Sequence, residues 1–369
     1  MTKLTRLFMD ANLDVDREIQ YIIDKTNLSP EIVENATPVY DLVNQADDPI
    51  LAAKKNLYIT KNKGAVIRKC PGTSHYTCCD YTILHTGTFC TMDCSYCILQ
   101  AYFHPPLLQY FAGLSTLSSE LDPIFKQNKI LRIGTGEYTD SLIWEPISPM
   151  PGFLVKKFAG QNRSILELKT KTINVDSLLD LDHNSKTILS WSLNTPKIIQ
   201  EQERGTSGLS ARLATAKKAA QKGYKLAFHF DPIILYPGCE EEYERVISSI
   251  FTHVTQEDIV WISIGTFRFM PQLKSIIESR FPDSTIPYGE FILGLDNKMR
   301  YFKPLRIKLY QRLAKLFKEI APKVMVYFCM EDQEVWEKTF GYFPGKPGEL
   351  GHLLDRAAAK RCNLDKSLL

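Results

Sequence analysis

The sequence lacks the features that mark membrane, secreted and low-complexity proteins. Among its 369 residues there is no run of about 18 apolar side chains, the length that a helix needs to cross a bilayer, and no internal repeat or biased tract. Residues 1–6 have neither the apolar centre nor the cleavage site of a signal peptide. We therefore expect a cytoplasmic protein without membrane contact, whose nine cysteines serve metal or redox chemistry rather than a disulfide framework.

An excess of charge of one sign is also missing. The formal net charge is +3, with 45 Lys and Arg against 42 Asp and Glu, so composition neither demands nor excludes a nucleic-acid partner. Hydrophobic residues make up 44% of the chain, which is enough for a full core. The length suits one large α/β domain, alone or with a small extension.

From residue 81 onward, short β-branched runs alternate with helical patterns. This alternation predicts a parallel sheet with right-handed crossovers, curled into a partial (β/α)6 TIM-type barrel. In such folds the functional side chains follow the C-terminal ends of the strands. The predicted strands are 81–86, 130–134, 165–169, 187–193, 226–231 and 259–266, and the clearest helices between them are 210–222 and 240–251.

The two flanking regions carry weaker patterns. We predict an N-terminal helical and linker region, 1–80, a barrel core, 81–270, and a C-terminal hairpin and helical extension, 271–369. The predicted N-terminal helices are 14–23, 30–35 and 39–55. The predicted C-terminal elements are a hairpin at 290–301, a basic helix at 305–318, a strand at 324–330 and a helix at 350–360.

Three cysteines follow the first barrel strand on one short loop, Cys90-Thr-Met-Asp-Cys94-Ser-Tyr-Cys97. Three thiolates at this spacing can ligate three irons of a [4Fe–4S] cluster and leave the fourth iron without a protein ligand. An open position distinguishes a substrate-binding metal site from a structural one, and S-adenosylmethionine (SAM) can chelate it. A zinc site completed by Cys78 or Cys79 is the alternative, because structural zinc takes four ligands.

The triplet resembles that of the radical SAM superfamily, and longer stretches narrow the resemblance to spore photoproduct lyase and its relatives. The similarity runs over 65–310. It implies a cluster at Cys90, Cys94 and Cys97, cleavage of SAM to a 5′-deoxyadenosyl radical, and repair of a thymine dimer in DNA by C–C bond cleavage. The stretches that carry the resemblance are 171–179, 192–194, 205–213, 223–226, 296–301 and 306–310.

The resemblance also implies SAM-binding residues at the strand ends. Lys171 matches a lysine that meets the carboxylate of SAM, and Ser192 and Asn194 match polar SAM contacts. Gly134 and Gly136 stand where a glycine-rich turn offers its backbone to the amino group of SAM. The alternatives are a solvated surface lysine and, for the two polar residues, local turn or cap hydrogen bonds.

Around the chemistry itself the sequence departs from the lyases. Tyr96 matches a tyrosine used in hydrogen transfer, with aromatic packing over the cluster as the alternative. Glu137, however, occupies the place of the cysteine that donates a hydrogen atom to the product radical, and Ile98 replaces a second tyrosine. A carboxylate does not readily donate a hydrogen atom, so either another donor serves or the reaction differs.

These departures keep two further hypotheses open. One is a radical SAM enzyme of the same family that acts on a substrate other than DNA. The other is a zinc-stabilised nucleic-acid-binding protein, which iron and sulfide content would distinguish from the first two.

The remaining cysteines and histidines allow more than one interpretation. Cys70, Cys78 and Cys79 form a second metal site, supply the missing thiol, or are structural, and we favour the structural role. The other cysteines are expected to be small packed hydrophobes, and the strand histidines satisfied core residues. These are Cys239, Cys329 and Cys362, and His85 and His229.

A basic, aromatic-rich stretch in the C-terminal extension is the candidate nucleic-acid surface. Cations for phosphates and rings for stacking are what such a surface needs, and a solvated amphipathic helix is the alternative. Its residues are Lys298, Arg300, Lys303, Arg306 and Lys308, interleaved with Tyr301, Phe302 and Tyr310. The expected partners are DNA and an electron donor of flavodoxin or ferredoxin type, and we expect a monomer.

Overall fold

The N-terminal region is a small parallel α/β unit. The computed structural model describes residues 2–73, 75–346 and 348–369. The first elements are β1 (Arg6–Asp10), α1 (Arg17–Thr26), β2 (Pro30–Val33), α2 (Thr37–Asn44), α3 (Pro49–Ala53) and β3 (Asn56–Thr60). Strand β1 lies between β2 and β3 and runs parallel to both, so the region predicted as helical also contains a sheet.

The helix predicted at 30–35 is wrong, because these residues begin with strand β2. Each residue of β2 pairs with one of β1, and the pairing satisfies backbone groups that a single helical turn would leave free. At the same edge, Arg6 forms a 2.6 Å ion pair with Glu31. Residues 30–35 are too few to specify a helix or a strand by their own pattern, and pairing with β1 makes their first part a strand.

The single helix predicted at 39–55 is two helices, α2 and α3. Pro49 lacks an N–H group and disfavours the helical conformation in the residue before it. Asp48 is accordingly extended, and its carboxylate accepts a 2.9 Å hydrogen bond from the N–H of Leu51. The chain thus breaks and recaps at this point.

The barrel and the C-terminal extension contain the remaining elements. The first part comprises β4 (Ile67–Lys69), β5 (Thr82–Leu84), β6 (Gly87–Thr88), β7 (Asp93–Cys94), α4 (Leu99–Tyr102), β8 (Leu108–Phe111), α5 (Leu114–Phe125), β9 (Leu131–Gly134), α6 (Met150–Ala159), β10 (Ser164–Thr170), β11 (Thr187–Ser192), α7 (Pro196–Gln202), β12 (Glu203–Arg204), α8 (Leu209–Gln221), β13 (Lys225–Ile233), α9 (Cys239–His253) and β14 (Ile259–Thr266). The rest are β15 (Arg268–Phe269), α10 (Pro271–Arg280), β16 (Phe291–Leu293), β17 (Met299–Tyr301), α11 (Lys303–Ile320), β18 (Met325–Phe328), α12 (Gln333–Phe340) and α13 (Glu349–Arg361).

The barrel is one curled sheet in the order β4-β5-β9-β10-β11-β13-β14-β18. Neighbours from β5 to β18 pair in parallel, and only β4 pairs antiparallel, with β5. Each predicted barrel strand overlaps an observed one, and the strand predicted at 324–330 is β18. The predicted α/β partial barrel is thereby confirmed. The predicted hairpin at 290–301 is formed by β16 and β17, which pair with each other.

Alternation along the strands separates the core from the site. On β10, Leu166 and Leu168 are buried under the helices, whereas Glu167 and Lys169 face the inside of the barrel, where they line a cavity. Successive side chains of a strand point to opposite faces, so one sheet serves both purposes. Helices α6 and α8 pack against the outer face, on β10, β11 and β13.

A second sheet joins the N-terminal unit to the barrel. Its order is β2-β1-β3-β8-β6, so strands on either side of the cysteine loop extend the N-terminal sheet. The division at residues 80 and 270 stays a prediction. Within the described part of the chain, none of the helices combines the length and the apolar character needed to cross a membrane.

Candidate active site

Most of the predicted site residues lie around one cavity. The cavity has a volume of about 350 Å³ and lies where the barrel strands end. Its wall combines the cysteine loop with side chains from several strand ends, as the fold rule requires. The predicted site residues that line it are Cys90, Cys94, Tyr96, Cys97, Gly136, Glu137, Lys171 and Ser192.

The second half of the cysteine loop is fixed by its backbone. Cys94 lies in β7, which pairs with β12, and the N–H and hydroxyl of Ser95 donate hydrogen bonds of 2.8 and 2.6 Å to Gln202. The side-chain amide of Gln100 donates to the carbonyls of Cys94, Ser95 and Cys97 at 3.2, 3.0 and 3.3 Å. These hydrogen bonds hold the backbone in this half of the loop without using the thiols of Cys94 and Cys97.

A buried lysine from the N-terminal unit fixes the first half of the loop. Lys54 directly follows α3, is 1% exposed, and donates from Nζ to the carbonyls of Cys90 and Met92 at 3.2 and 2.5 Å. Its ammonium group also lies 3.7 Å from the Asp93 carboxylate and 4.6 Å from the centre of the Phe89 ring. Sequence analysis did not select Lys54, since nothing along the chain places it near residue 90.

The thiols of the loop fit an iron–sulfur cluster in their donor chemistry. They are soft ligands on a single loop, and burial raises the pKa of the Cys90 thiol to about 12 and also raises the pKa of Cys94. Metal binding would therefore release protons from them. Among the described residues, no three ligand side chains are already gathered around one point, so the thiols would close about the metal as it binds.

Tyr96 and Lys171 lie together beside the loop. Nζ of Lys171 is 5.8 Å from the centre of the Tyr96 ring. The Tyr96 hydroxyl donates a hydrogen bond to Glu203, which forms a 2.5 Å ion pair with Arg212, and this pair is fully buried. Burial, with Glu203 beside it, raises the pKa of Tyr96, so the ring is a neutral phenol held in one orientation.

The two polar residues after β11 have different positions. Ser192 lines the cavity. Asn194 does not, because its side chain donates to the carbonyl of Pro232 at 2.9 Å and accepts from the hydroxyl of Tyr243 at 2.6 Å. These are tertiary hydrogen bonds to distant segments rather than the local turn or cap bonds that were the alternative to SAM contact.

The two glycines after β9 also differ. Gly136 lies on the cavity wall against Lys169, whose Cβ is 3.0 Å from the position a Cβ would take at residue 136. Gly134 is not on the wall. A Cβ there would lie 1.6 Å from the hydroxyl oxygen of Tyr81, so packing under Tyr81 requires this glycine, independently of any cofactor.

Charged side chains that sequence analysis did not select line another part of the cavity. Lys169 ends β10, Asp231 lies on β13, and Arg268 follows β14 and donates to Asp231 at 3.1 and 3.2 Å. Burial alone would lower the pKa of Lys169, but nearby Glu137 and other carboxylates raise it. Each of the three stands near the C-terminal end of a strand, so the strand-end rule could have found them.

His229 is a partnered histidine that also faces the cavity. Its Nε2 lies 2.7 Å from the carboxylate of Glu167, and its Nδ1 lies 2.6 Å from the hydroxyl of Ser263. All three residues line the cavity. The ring is satisfied, as the sequence predicted, but it is part of the site wall rather than of the apolar core.

Much of the predicted nucleic-acid surface is buried, and that prediction is wrong for four of its residues. Arg306 is 3% exposed and lies 3.0 Å from the carboxylate of Glu331, to which the hydroxyl of Tyr310 donates at 2.9 Å. Arg300 is also 3% exposed and forms a 2.7 Å ion pair with Asp296. Tyr301 is buried as well. Of the remaining residues, Lys303 forms ion pairs with Asp332 and Glu334, and Lys298 lines the cavity. Lys308 and Phe302 are exposed.

The scattered cysteines divide into two groups. Cys239 and Cys362 are buried in the core, as expected. Cys329 is not simply a packed hydrophobe, since it lines the cavity together with Cys70 and Cys79. The barrel therefore gathers cysteines that lie far apart in the sequence.

Comparison with known proteins agrees with this geometry. The family model described as spore photoproduct lyase matches residues 53–304. The chain belongs to the spore photoproduct lyase family. Spore photoproduct lyase of Bacillus subtilis (strain 168) is 28% identical over 223 residues, which are 59% of this chain and 63% of that protein. Spore photoproduct lyase of Clostridium acetobutylicum is 26% identical over 219 residues, 58% of this chain and 62% of that protein.

Solved structures of spore photoproduct lyase share the fold of this family member. A mutant lyase with bound AdoMet and dinucleoside spore photoproduct superposes with a TM-score of 0.76, at 21% identity, over 89% of this chain and 99% of that chain. The lyase complexed with dinucleoside spore photoproduct gives the same score at 20% identity, with the same coverage. In sequence, the match spans less than two thirds of the curated lyases.

Proposed function

We propose that this protein is a cytoplasmic radical SAM enzyme that cleaves the C–C bond of a spore-type thymine dimer in DNA. The observation that carries the proposal is that the cysteine triplet, Lys171, Gly136 and Ser192 line one cavity at the strand ends of a lyase-family barrel. A solved lyase binds AdoMet and the dinucleoside photoproduct on the same fold.

The residues of the cavity have separate proposed roles. Cys90, Cys94 and Cys97 hold a [4Fe–4S] cluster, and Lys171 and Gly136 orient SAM through its carboxylate and amino groups. If bound there, the reduced cluster and SAM would supply the radical chemistry that removes a hydrogen atom from the lesion. Ser192 offers a further polar contact at the end of β11.

The protein side of the chemistry is orientation and exclusion of water. The Lys54 ammonium and the Gln100 amide hold the backbone of the loop in place before the cofactor arrives, so that only the thiols need to move. Tyr96 is proposed to stand beside the reacting atoms as a neutral phenol, fixed by Glu203. A low-dielectric cavity wall strengthens each of these polar contacts.

The hairpin of β16 and β17 is the proposed DNA contact. It carries exposed apolar side chains in one strand and the turn, with Ile292, Leu293 and Leu295 exposed by 45, 60 and 70%. Such side chains can wedge between base steps and help to extrude a lesion. Lys298, on the same hairpin, reaches the cavity wall, so the hairpin links the two regions.

The deciding experiment follows SAM cleavage and repair together. The protein is reconstituted anaerobically with iron and sulfide, reduced, and given SAM and an oligonucleotide that carries the spore-type dimer. We expect both 5′-deoxyadenosine and restored thymine, and the loss of both in Cys90→Ala, Cys94→Ala and Cys97→Ala. The remote Cys239→Ala is the matched control. If the wild-type protein bound no iron and sulfide, this result would contradict the proposed cluster and, with it, the whole proposed function.

A second candidate function is the same radical chemistry on a substrate other than DNA. The favouring observation is the set of half-buried charges on the cavity wall, Lys169, Asp231 and Arg268, which suits a small ligand that carries charges of both signs. SAM cleavage without thymine repair, in the experiment above, would support this candidate. The flavodoxin- or ferredoxin-type electron donor and the monomeric state stay predictions.

A further inference from the structure

Two buried cations lie behind the cysteine loop, and they come from opposite ends of the chain. Lys54 directly follows α3 of the N-terminal unit, and Arg280 is the last residue of α10 in the C-terminal extension. Their side chains are 1 and 9% exposed. Asp93, which lies within the loop, is 3.7 Å from the ammonium group of Lys54 and 3.1 Å from the guanidinium group of Arg280. Both flanking regions of the chain therefore bring charge to the loop.

Arg280 is a compensated cation. Its guanidinium group donates to the carboxylate of Asp48 at 3.0 Å, to that of Asp93 at 3.1 Å, and to the side-chain oxygen of Gln100. Gln100 in turn donates to carbonyl groups of the loop. Because two carboxylates bind one guanidinium group, Arg280 anchors the loop but presents no excess positive charge to it.

Lys54 is the cation that contacts a predicted cluster ligand. Its ammonium group donates to the carbonyls of Cys90 and Met92 at 3.2 and 2.5 Å and lies 4.6 Å from the centre of the Phe89 ring. None of these three partners is charged, and the Asp93 carboxylate, 3.7 Å away, is shared with the second cation. Where water is excluded, a charge acts through an effective dielectric constant far below that of water, so the field of this ammonium group reaches the loop with little screening.

We propose that Lys54 raises the reduction potential of the [4Fe–4S] cluster held by Cys90, Cys94 and Cys97, and that the N-terminal unit thereby controls the entry of the electron that starts the reaction. This inference rests on the proposed function, because it requires the cluster. Reduction makes the cluster more negative by one charge, and a buried cation beside a ligand stabilises the more negative state. Net charge and solvent exposure around a cluster are among the factors that set its potential.

The step is the transfer of one electron. A donor of the flavodoxin or ferredoxin class loses the electron and the cluster gains it, while no proton moves and no covalent bond of the protein breaks. Lys54 is not one of the residues that line the cavity. It therefore acts through the loop, as a positioning residue and not as a catalytic one.

The test is a redox titration of the reconstituted protein without SAM and without DNA. Visible absorption and electron paramagnetic resonance report the potential per loaded cluster, so that partial loading with iron does not affect it. We expect Lys54→Met to lower the ratio of reduced to oxidised cluster at least tenfold at a fixed potential, a shift of about 59 mV for a one-electron couple. Lys54→Arg, which keeps the charge, should restore most of the wild-type value.

A variant of opposite sign separates charge from loop geometry. Asp93→Asn removes a negative charge beside the same ammonium group, so it should shift the potential upwards. Loosening of the loop would instead shift the potential in the same direction in both variants. Exposed Lys308→Met is the control and should titrate as the wild type. An unchanged potential in Lys54→Met, or shifts of the same sign in Lys54→Met and Asp93→Asn, would overturn the proposal.

The inference and the proposed function fail in different ways. If the potential responds to Lys54→Met but the wild type repairs no dimer, the inference stands and the lyase function fails. If the wild type repairs the dimer but Lys54→Met leaves the potential unchanged, the function stands and the inference fails. A wild type that binds no cluster would reject both.

Discussion

Lys54 shows how one buried charge controls a loop that lies far from it in sequence. Replacing Lys54 with Met removes the donor to the Cys90 and Met92 carbonyls, and of the two cations beside Asp93 it leaves only Arg280. We expect Lys54→Met to bind less than half the iron of the wild type after reconstitution, and Lys54→Arg to retain more of it. Iron and sulfide analysis measures this. Exposed Lys308→Met is the control, and full iron binding by Lys54→Met would contradict the anchoring role.

His85 is a residue whose burial makes stability depend on pH. Its ring packs 5.0 Å from Phe111 and 4.8 Å from Tyr138, measured between ring centres, and among the residues that the structure describes its ring nitrogens have no hydrogen-bond partner. Burial lowers the pKa of His85 from 6.5 to about 4. Between pH 6.5 and about 4, His85 is therefore protonated in the unfolded chain but neutral in the folded chain. The free energy of unfolding falls as the pH falls through this range.

The expected loss is up to about 3 kcal/mol of unfolding free energy. His85→Phe, which keeps an aromatic ring in the same place, should flatten this dependence. Urea unfolding at pH 7 and pH 5 measures it, and exposed His352→Gln should behave as the wild type. If His85→Phe loses as much stability as the wild type between these pH values, the histidine is not the titrating group.

At the scale of elements, the proposed DNA contact at the hairpin of β16 and β17 can be tested independently of the radical chemistry. Ile292, Leu293 and Leu295 are exposed by 45, 60 and 70%, so their replacement should cost the fold little. We expect the triple change to Ser to weaken binding of dimer-containing DNA at least tenfold, while SAM cleavage without DNA stays within twofold of the wild type. Fluorescence anisotropy with a labelled oligonucleotide measures binding. Unchanged DNA affinity would remove the hairpin from the proposed interface.

Elements also show what sequence patterns can and cannot predict. Strands such as β14 were predicted to the residue, because long β-branched runs are buried on the barrel sheet. Strand β2 was predicted as a helix, because its conformation comes from pairing with β1. The basic helix α11 was correctly located, but its pattern did not show that Arg306 and Tyr310 turn towards Glu331, which lies beyond the next strand.

At the scale of the whole molecule, buried polar contacts join the C-terminal extension to the edge of the barrel. Arg306 on α11 is paired with Glu331 after β18, and both are buried. Removing one partner leaves the other as an uncompensated buried charge, so Arg306→Met should cost about 3–5 kcal/mol of unfolding free energy. The double variant Arg306→Met with Glu331→Gln should regain part of this loss. Denaturant unfolding checks both, and a loss below 1 kcal/mol for Arg306→Met would contradict the role of the pair.

Sequence analysis predicted site residues only where residues that are close along the chain form a recognisable motif. Cys90, Cys94 and Cys97 lie on one loop, and Lys171 and Ser192 were selected because they match the related family at strand ends. Lys54 and Cys329 reach the same region through pairing of distant segments, which no local pattern records. Conversely, Gly134 and Asn194 have the right residue type at the right strand end, but Gly134 packs under Tyr81 and Asn194 is hydrogen-bonded to Pro232 and Tyr243.

The contact between Lys54 and the cysteine loop couples iron binding by the loop to opening of the N-terminal sheet. If an ordered N-terminal sheet raises the affinity of the loop for iron, bound iron must raise the resistance of that sheet to opening by the same free energy. Protein made in iron-poor cells would then open its first 60 residues more often and be cleaved there first. Iron supply would set the lifetime of the protein as well as its activity.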